Sequence, residues 1–302
     1  MVEFTASHFA ELCRQGPVKS QIESIETARK AAVGGFWRYL VGGLALAAAV
    51  GFGAATISIE FGFVAFFILA AIAVGFAIAP LSKASRSIKL PVLETIAGQG
   101  GMSFTPEGFD PPVFADAQQP LFGNWLSAAA FSDLFYGTDP EGRHFAFYEA
   151  ILTRGHGKHR HNVFTGQIYA FQRRRPQQGE TVAVPDKGLF NFFKPAGGFE
   201  RIKFETDPDF EKKFEVYTSN AAEAQALFGN LSVRRLLLEL RQQGRIFVFV
   251  GHEDMLVAVT GKNRFEPGSM FRSRGGEERV RLMFDDVCAS LGVLNKLKAG
   301  FG

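Results

Sequence analysis

Two runs decide how this chain folds: YLVGGLALAAAVGFGAATISI (Tyr39–Ile59) and FGFVAFFILAAIAVGFAIAPLS (Phe61–Ser82), parted by Glu60 alone. No other residue between Arg38 and Lys83 carries a charge. The runs hold 21 and 22 residues. At about 1.5 Å of rise per residue each reaches roughly 30 Å, the depth of a bilayer's hydrocarbon core. A helix in a soluble core needs neither that length nor apolar residues on every side. The pattern predicts a transmembrane helical hairpin over 39–81. A cleaved signal peptide would have a shorter apolar core nearer the N-terminus, and no second span would follow it.

Charge orients the hairpin. Arg29, Lys30 and Arg38 precede the first run, Lys83, Arg86 and Lys89 follow the second, and Thr56–Glu60 between them has no Lys or Arg. The positive-inside bias therefore predicts both termini in the cytoplasm. Arg38, Tyr39, Phe61 and Lys83 mark the ends of the spans. Within them, Gly43, Ala47, Gly51 and Ala55 share one face at four-residue spacing, as do Ala71, Gly75 and Ala79. Small residues let helix backbones approach where lipid gives no hydrophobic drive, so these faces pack the hairpin on itself or form a homo-oligomer seam. No ionisable residue lies inside either span, which argues against a proton relay or ion path.

The remainder is long enough for a domain with a real core. Its charges nearly balance, and the net charge of +3 on 302 residues gives no reason to expect nucleic acid as a partner. Of the 33 phenylalanines most follow residue 100, and that many exposed rings would aggregate, so the later domain buries them. Cys13 and Cys288 fit no metal or redox spacing and read as reduced thiols.

The pattern divides the chain into an amphipathic helical segment (1–38, broken at Gly16-Pro17), the hairpin (39–81), a juxtamembrane helix with a Pro-rich linker (82–120) and an α+β domain (121–302). The amphipathic segment either lies on the membrane or packs on the later domain. Strands are expected at Arg143–Leu152, Asn162–Phe171, Thr181–Val184, Glu200–Glu205, Phe214–Tyr217, Ile246–Val250 and Met255–Val259. Asn220, with Glu223 three residues on, starts a helix that ends at Gly229, and a second runs from Ser232 to about Gln243. The last helix, Glu277 to Lys298, carries the stripe Val280, Phe284, Val287, Leu291, Leu294 and should close over a mostly antiparallel sheet. Glu149 on the inward face of its strand needs an explanation.

Two spans followed by VFTGQIY (Val163–Tyr169) and DFEKKFEVYTSNAAEAQALF (Asp209–Phe228) resemble a bacterial family of membrane proteins classed as domain of unknown function 3137. Phe210, Glu211, Phe214, Val216, Tyr217 and Ala224 carry the most specific part of the likeness. The resemblance implies an integral protein of the bacterial inner membrane with a cytosolic domain; it brings no catalytic residues with it.

The residues themselves announce no chemistry. His156, His159 and His161 fall within RGHGKHRH (Arg154–His161), close enough to share a metal ion or to meet anionic lipid, yet the loop joins two strands and reads as a solvated tip. His252-Glu253-Asp254 are acid/base types held in one tight turn. Gly275-Gly276 with Arg272 and Arg274 suggest an anion site, but Glu277 and Glu278 already occupy that helix N-terminus. No cofactor is expected. The reading is a membrane-anchored binding or scaffold module with a protein partner. The alternative is a hydrolase-like enzyme drawing on Asp133, Asp139, Glu141, His144 and Glu149, and convergence of those groups in one cleft decides between them.

Overall fold

A computed structural model describes residues 6–14, 16–124, 126–186 and 198–301. The chain forms two compact units: Phe4–Gln99 with Phe265–Asp286, and Gly100–Arg264 with Val287–Gly302. The architecture is α+β with an antiparallel sheet, downstream of two long apolar helices.

In the helical unit, α1 (Ala6–Arg14) is followed by one helix of 40 residues, α2 (Gly16–Ala55), whose first turn holds the Gly16-Pro17 pair expected as a break. The amphipathic segment and the first apolar run are thus a single rod from Gly16 onward. Thr56, Ile57 and Ser58 turn back onto the carbonyls of Gly53 and Ala54, and α3 (Ile59–Gln99) returns over 41 residues. Pro80 and Pro91 lie inside α3 without ending it. Both helices are long and apolar enough to span a membrane, and 11% and 17% of their most apolar windows are buried. Trp37, Tyr39, Leu46, Phe52, Phe61, Phe63, Phe67, Ile68 and Phe76 all stand exposed.

Where α2 and α3 meet, side chains vanish. A Cβ on Gly43 would lie 2.4 Å from the Ala73 Cβ, and one on Gly62 would lie 2.7 Å from the Ala55 Cβ. Gly51 faces Phe66 and the Gly62 carbonyl, while Gly35 faces Pro80. Ala47, Ala73 and Ala77 complete the seam. The expected second face, Ala71, Gly75 and Ala79, is not part of it: all three are exposed, and a Cβ on Gly75 would meet nothing within 4 Å. Each lies two positions from Ala73 or Ala77, about 200° around the helix, so the small-residue register in α3 was offset by half a turn.

The sheet unit holds nine strands: β1 (Ser103–Thr105), β2 (Leu126–Thr138), β3 (His144–Arg154), β4 (His161–Gln172), β5 (Thr181–Pro185), β6 (Glu200–Ile202), β7 (Phe214–Thr218), β8 (Ile246–Val250) and β9 (Asp254–Thr260). Their order is β1-β2-β3-β4-β9-β8-β5-β7-β6, and every pairing is antiparallel. Seven strands fall where the alternation predicts them. β1 and β2 were not read: β2 opens on LSAAAFS, whose alanines lack strand propensity, and packing against β3 overrides that preference. The segment expected as a linker also contains a helix, α4 (Phe114–Phe122), with Phe114, Ala117 and Leu121 buried.

The remaining helices are α5 (Pro208–Glu211), α6 (Ala221–Phe228), α7 (Leu231–Leu240) and α8 (Gly276–Phe301). Asn220 caps α6 by accepting from the Glu223 N–H, as predicted. The α8 stretch from Val287 onward belongs to the sheet unit, where Ser290 bonds Gln167, and Phe301 packs edge-on to Phe228. The other sheet face carries Ala146, Tyr148, Ala150, Leu152, Ile168, Ala170, Leu256 and Ala258 under α4.

Candidate functional site

The residues proposed as an enzymatic cluster are held apart by structural duties. Asp139 (7% exposed) accepts from the Lys298 ammonium, from the Arg143 guanidinium and from the Arg143 and Glu141 backbone N–H groups. Burial pushes its carboxyl up, but these donors and positive charges outweigh that and hold it at about 2. Glu149 (2% exposed) takes the Arg264 backbone N–H at 2.6 Å, which accounts for a carboxylate on an inward strand face. Asp133 sits buried in the β2 bulge with φ +57°, its N–H on the Pro106 carbonyl. Glu141 is exposed beside Arg143. The five do not converge in one cleft.

One of them, His144, does line a cleft. Pro112, Val113, Leu134, Tyr136, Ala146 and Ala170 give it an apolar floor and wall, and His144, Gln172 and Asp254 its polar rim, around a volume of about 430 Å³. Two features hold the wall in place. The buried Tyr148 hydroxyl donates to the Pro112 carbonyl at 2.9 Å, tying the Pro-rich segment to β3. Val113 then enters α4 with φ +62°, ψ −7°, a left-handed conformation that a β-branched residue adopts only under external constraint.

Asp254 is the one carboxylate among the residues lining this cleft. Partial burial raises the Asp254 carboxyl, the negative charges of Glu253 and Asp116 raise it further, and His144 opposes them. Asp116 in α4 also adds to the burial that raises Glu180. Reading the sequence placed Asp254 in a tight turn and His144 near the start of a strand; nothing in the spacing of 144 and 254 signals that β3 and β9 carry them to one mouth.

The histidine-rich loop stands apart. His156, His159 and His161 are all exposed around a short 3₁₀ turn, and His161 donates through Nδ1 to the His159 carbonyl at 3.1 Å. Among the described residues no three His, Cys, Asp or Glu side chains gather as a metal site would require. At the start of α8, a Cβ on Gly276 would lie 2.3 Å from the Ile22 carbonyl, so α2 covers the anion site suggested by Gly275-Gly276. Arg38, Tyr39, Phe61 and Lys83 are exposed at the hairpin ends.

The sequence model of a family described as a protein of unknown function (DUF3137) matches residues 162–299. VFTGQIY and the 209–228 segment fall inside the match; the two apolar helices do not, so the likeness is narrower than the whole chain. No curated protein matches. Among solved structures, the crystal structure of the mycobacterial trehalose monomycolate transport factor A, TtfA, is 12% identical, with 69% of this chain and 97% of that one covered and a TM-score of 0.37.

Proposed function

Starting from a chain whose residues 162–299 belong to the DUF3137 family, we propose that it is a membrane-anchored, non-catalytic binding module. In this reading α2 and α3 span a bacterial inner membrane, both termini face the cytoplasm, and the sheet unit presents its cleft there to a protein partner. Basic residues outside both ends of the hairpin and none in its turn support the orientation. Anchoring raises the effective concentration of the cleft for other membrane proteins without adding a contact.

The observation that carries the reading is the dispersal of the acid/base residues. Asp139 and Glu149 are spent on ion pairing and on a backbone N–H, and Asp133 on a bulge. What the cleft offers is an apolar lining with one carboxylate, Asp254, beside it, which suits an apolar side chain next to a Lys or Arg. A photo-crosslinking residue in place of the half-exposed Tyr136, introduced into the full chain in its own membranes, tests this. One discrete adduct is expected, lost when Ala146→Trp fills the cleft. An adduct that persists in the filled variant, or none at all, overturns the proposal.

A second reading has one observation in its favour: His144 and Asp254 line the same mouth, and the Asp254 carboxyl is raised. Such a pair is the raw material of general acid–base catalysis. Hydrolysis of an ester or phosphoester panel by the purified chain, abolished by both His144→Ala and Asp254→Asn, would favour the enzyme.

A further inference from the structure

The segment 265–275, between β9 and α8, is pinned to the hairpin helices at three heights. Its first end lies beside α3, where Glu266 pairs with Lys89 at 2.8 Å and accepts from Ser85. Its middle lies beside α2, where Arg29 donates to the Met270 carbonyl at 3.0 Å and the Phe271 ring meets Phe36 edge-on at 5.0 Å. Its far end returns to Ile22 at Gly276.

Helix geometry turns those contacts into depths. The seam contacts fix the pairing of α2 and α3: Gly35 meets Pro80, Gly43 meets Ala73 and Gly51 meets Phe66. Phe36 is therefore level with Pro80, inside the second uncharged run and only about 5 Å of helix rise before Tyr39. Ile22 lies roughly 20 Å further from the membrane on the same rise. The segment descends from the level of Lys89 to the level of Pro80 at Phe271, then climbs back to Ile22. It is a loop that dips, with an aromatic ring at its tip.

The dip is built. Arg279, with 0% exposure, donates to the carbonyls of Pro267 (2.7 Å), Ser269 (3.1 Å) and Arg272 (2.7 Å) and holds the loop from within. Yet this clamped loop leaves Phe271 51% exposed, and Arg272, Arg38, Lys83 and Arg86 are exposed as well. An aromatic ring fixed in water is unfavourable; the same ring at the boundary of headgroups and acyl chains, flanked by cations facing lipid phosphates, is stabilised.

We infer that the 265–275 loop is a third membrane contact, inserting Phe271 into the headgroup–acyl boundary of the bilayer that the hairpin spans, with anionic phospholipid as its ligand. The inference rests on the spanning reading of α2 and α3, and the experiment separates the two. The full chain is reconstituted in bilayers of phosphatidylglycerol and phosphatidylcholine with acyl chains brominated near the headgroup. One variant carries Phe271→Trp with Trp37→Phe and Trp125→Phe; a companion keeps Trp37 as its sole tryptophan by Trp125→Phe. Loss of emission is expected in both, deeper for the Phe271→Trp variant as the phosphatidylglycerol share rises. Quenching of Trp37 alone overturns the loop contact and leaves the hairpin standing; quenching of neither overturns both. Should Phe271→Trp not be recovered folded, Phe271→Cys bearing a nitroxide, in Cys13→Ser/Cys288→Ser, reads the same depth by its accessibility to oxygen against a water-soluble relaxant. Greater access to the aqueous relaxant overturns the inference.

Discussion

The carboxylate of Asp139, in the turn after β2, accepts from the ammonium of Lys298, 159 residues further along the chain in the last turns of α8. The same ammonium lies 5.3 Å from the Phe145 ring centroid. The pair fastens the second half of α8 to the edge of the sheet unit, with both side chains nearly excluded from water.

The pair gives the protein an acid limit. A carboxyl held at about 2 in the folded chain lies below its ordinary value, so its contribution is complete above pH 4 and is lost as pH falls from there towards 2. The contribution is about 2 kcal/mol. Melting of the full chain in detergent, with and without Asp139→Asn, checks this. The variant should melt lower at pH 7, and the gap should narrow below pH 4 and close near pH 2; a gap constant with pH contradicts it.

Phe214, with 0% exposure, stacks on Phe210 at 5.0 Å, and Val216 is buried beside it. Tyr217 turns to the other face and donates its hydroxyl to Glu215 at 3.2 Å. Phe214→Ala should cost roughly 3–5 kcal/mol, and Tyr217→Phe much less. Denaturant or thermal unfolding of the full chain reads both, and an unchanged midpoint for Phe214→Ala would place that ring outside the core.

The hairpin seam makes a contrast within one helix pair. Gly43→Val forces a Cβ into Ala73 and should destabilise by roughly 1–3 kcal/mol, whereas Gly75→Val points into open space and should be tolerated. Thermal aggregation of the two purified variants in detergent compares them. Equal behaviour would mean that the helices pack through another face.

The charges flanking the hairpin predict a topology that labelling can check. Single cysteines at Ser58 and Asn220, in a background without Cys13 and Cys288, should differ towards a membrane-impermeant maleimide added to whole cells. Labelling is expected at 58 and absent at 220. The reverse pattern inverts the orientation and moves the cleft to the opposite side.

The sequence by itself determined what depends on local pattern. Length without charge marked Tyr39–Ile59 and Phe61–Ser82 as helices exposed on nearly all sides, period-two alternation marked seven strands, and Asn220 marked the start of α6. These signals lie within a few residues of where they act. Tertiary structure decided whatever required two distant segments to meet. The outward face of Ala71, Gly75 and Ala79 depended on the rotation of α3 against α2, which identical four-residue spacings cannot distinguish. β2 became a strand because β3 offered partners, against the preference of its alanines. Glu149 could stay on an inward face because Arg264 brought it a backbone N–H. His144 and Asp254 share one cleft mouth only because β3, β4 and β9 are neighbours in the sheet. Local free energies are written along the chain; the cleft and the dipping loop arise from contacts between segments far apart in it, which no window on the sequence contains.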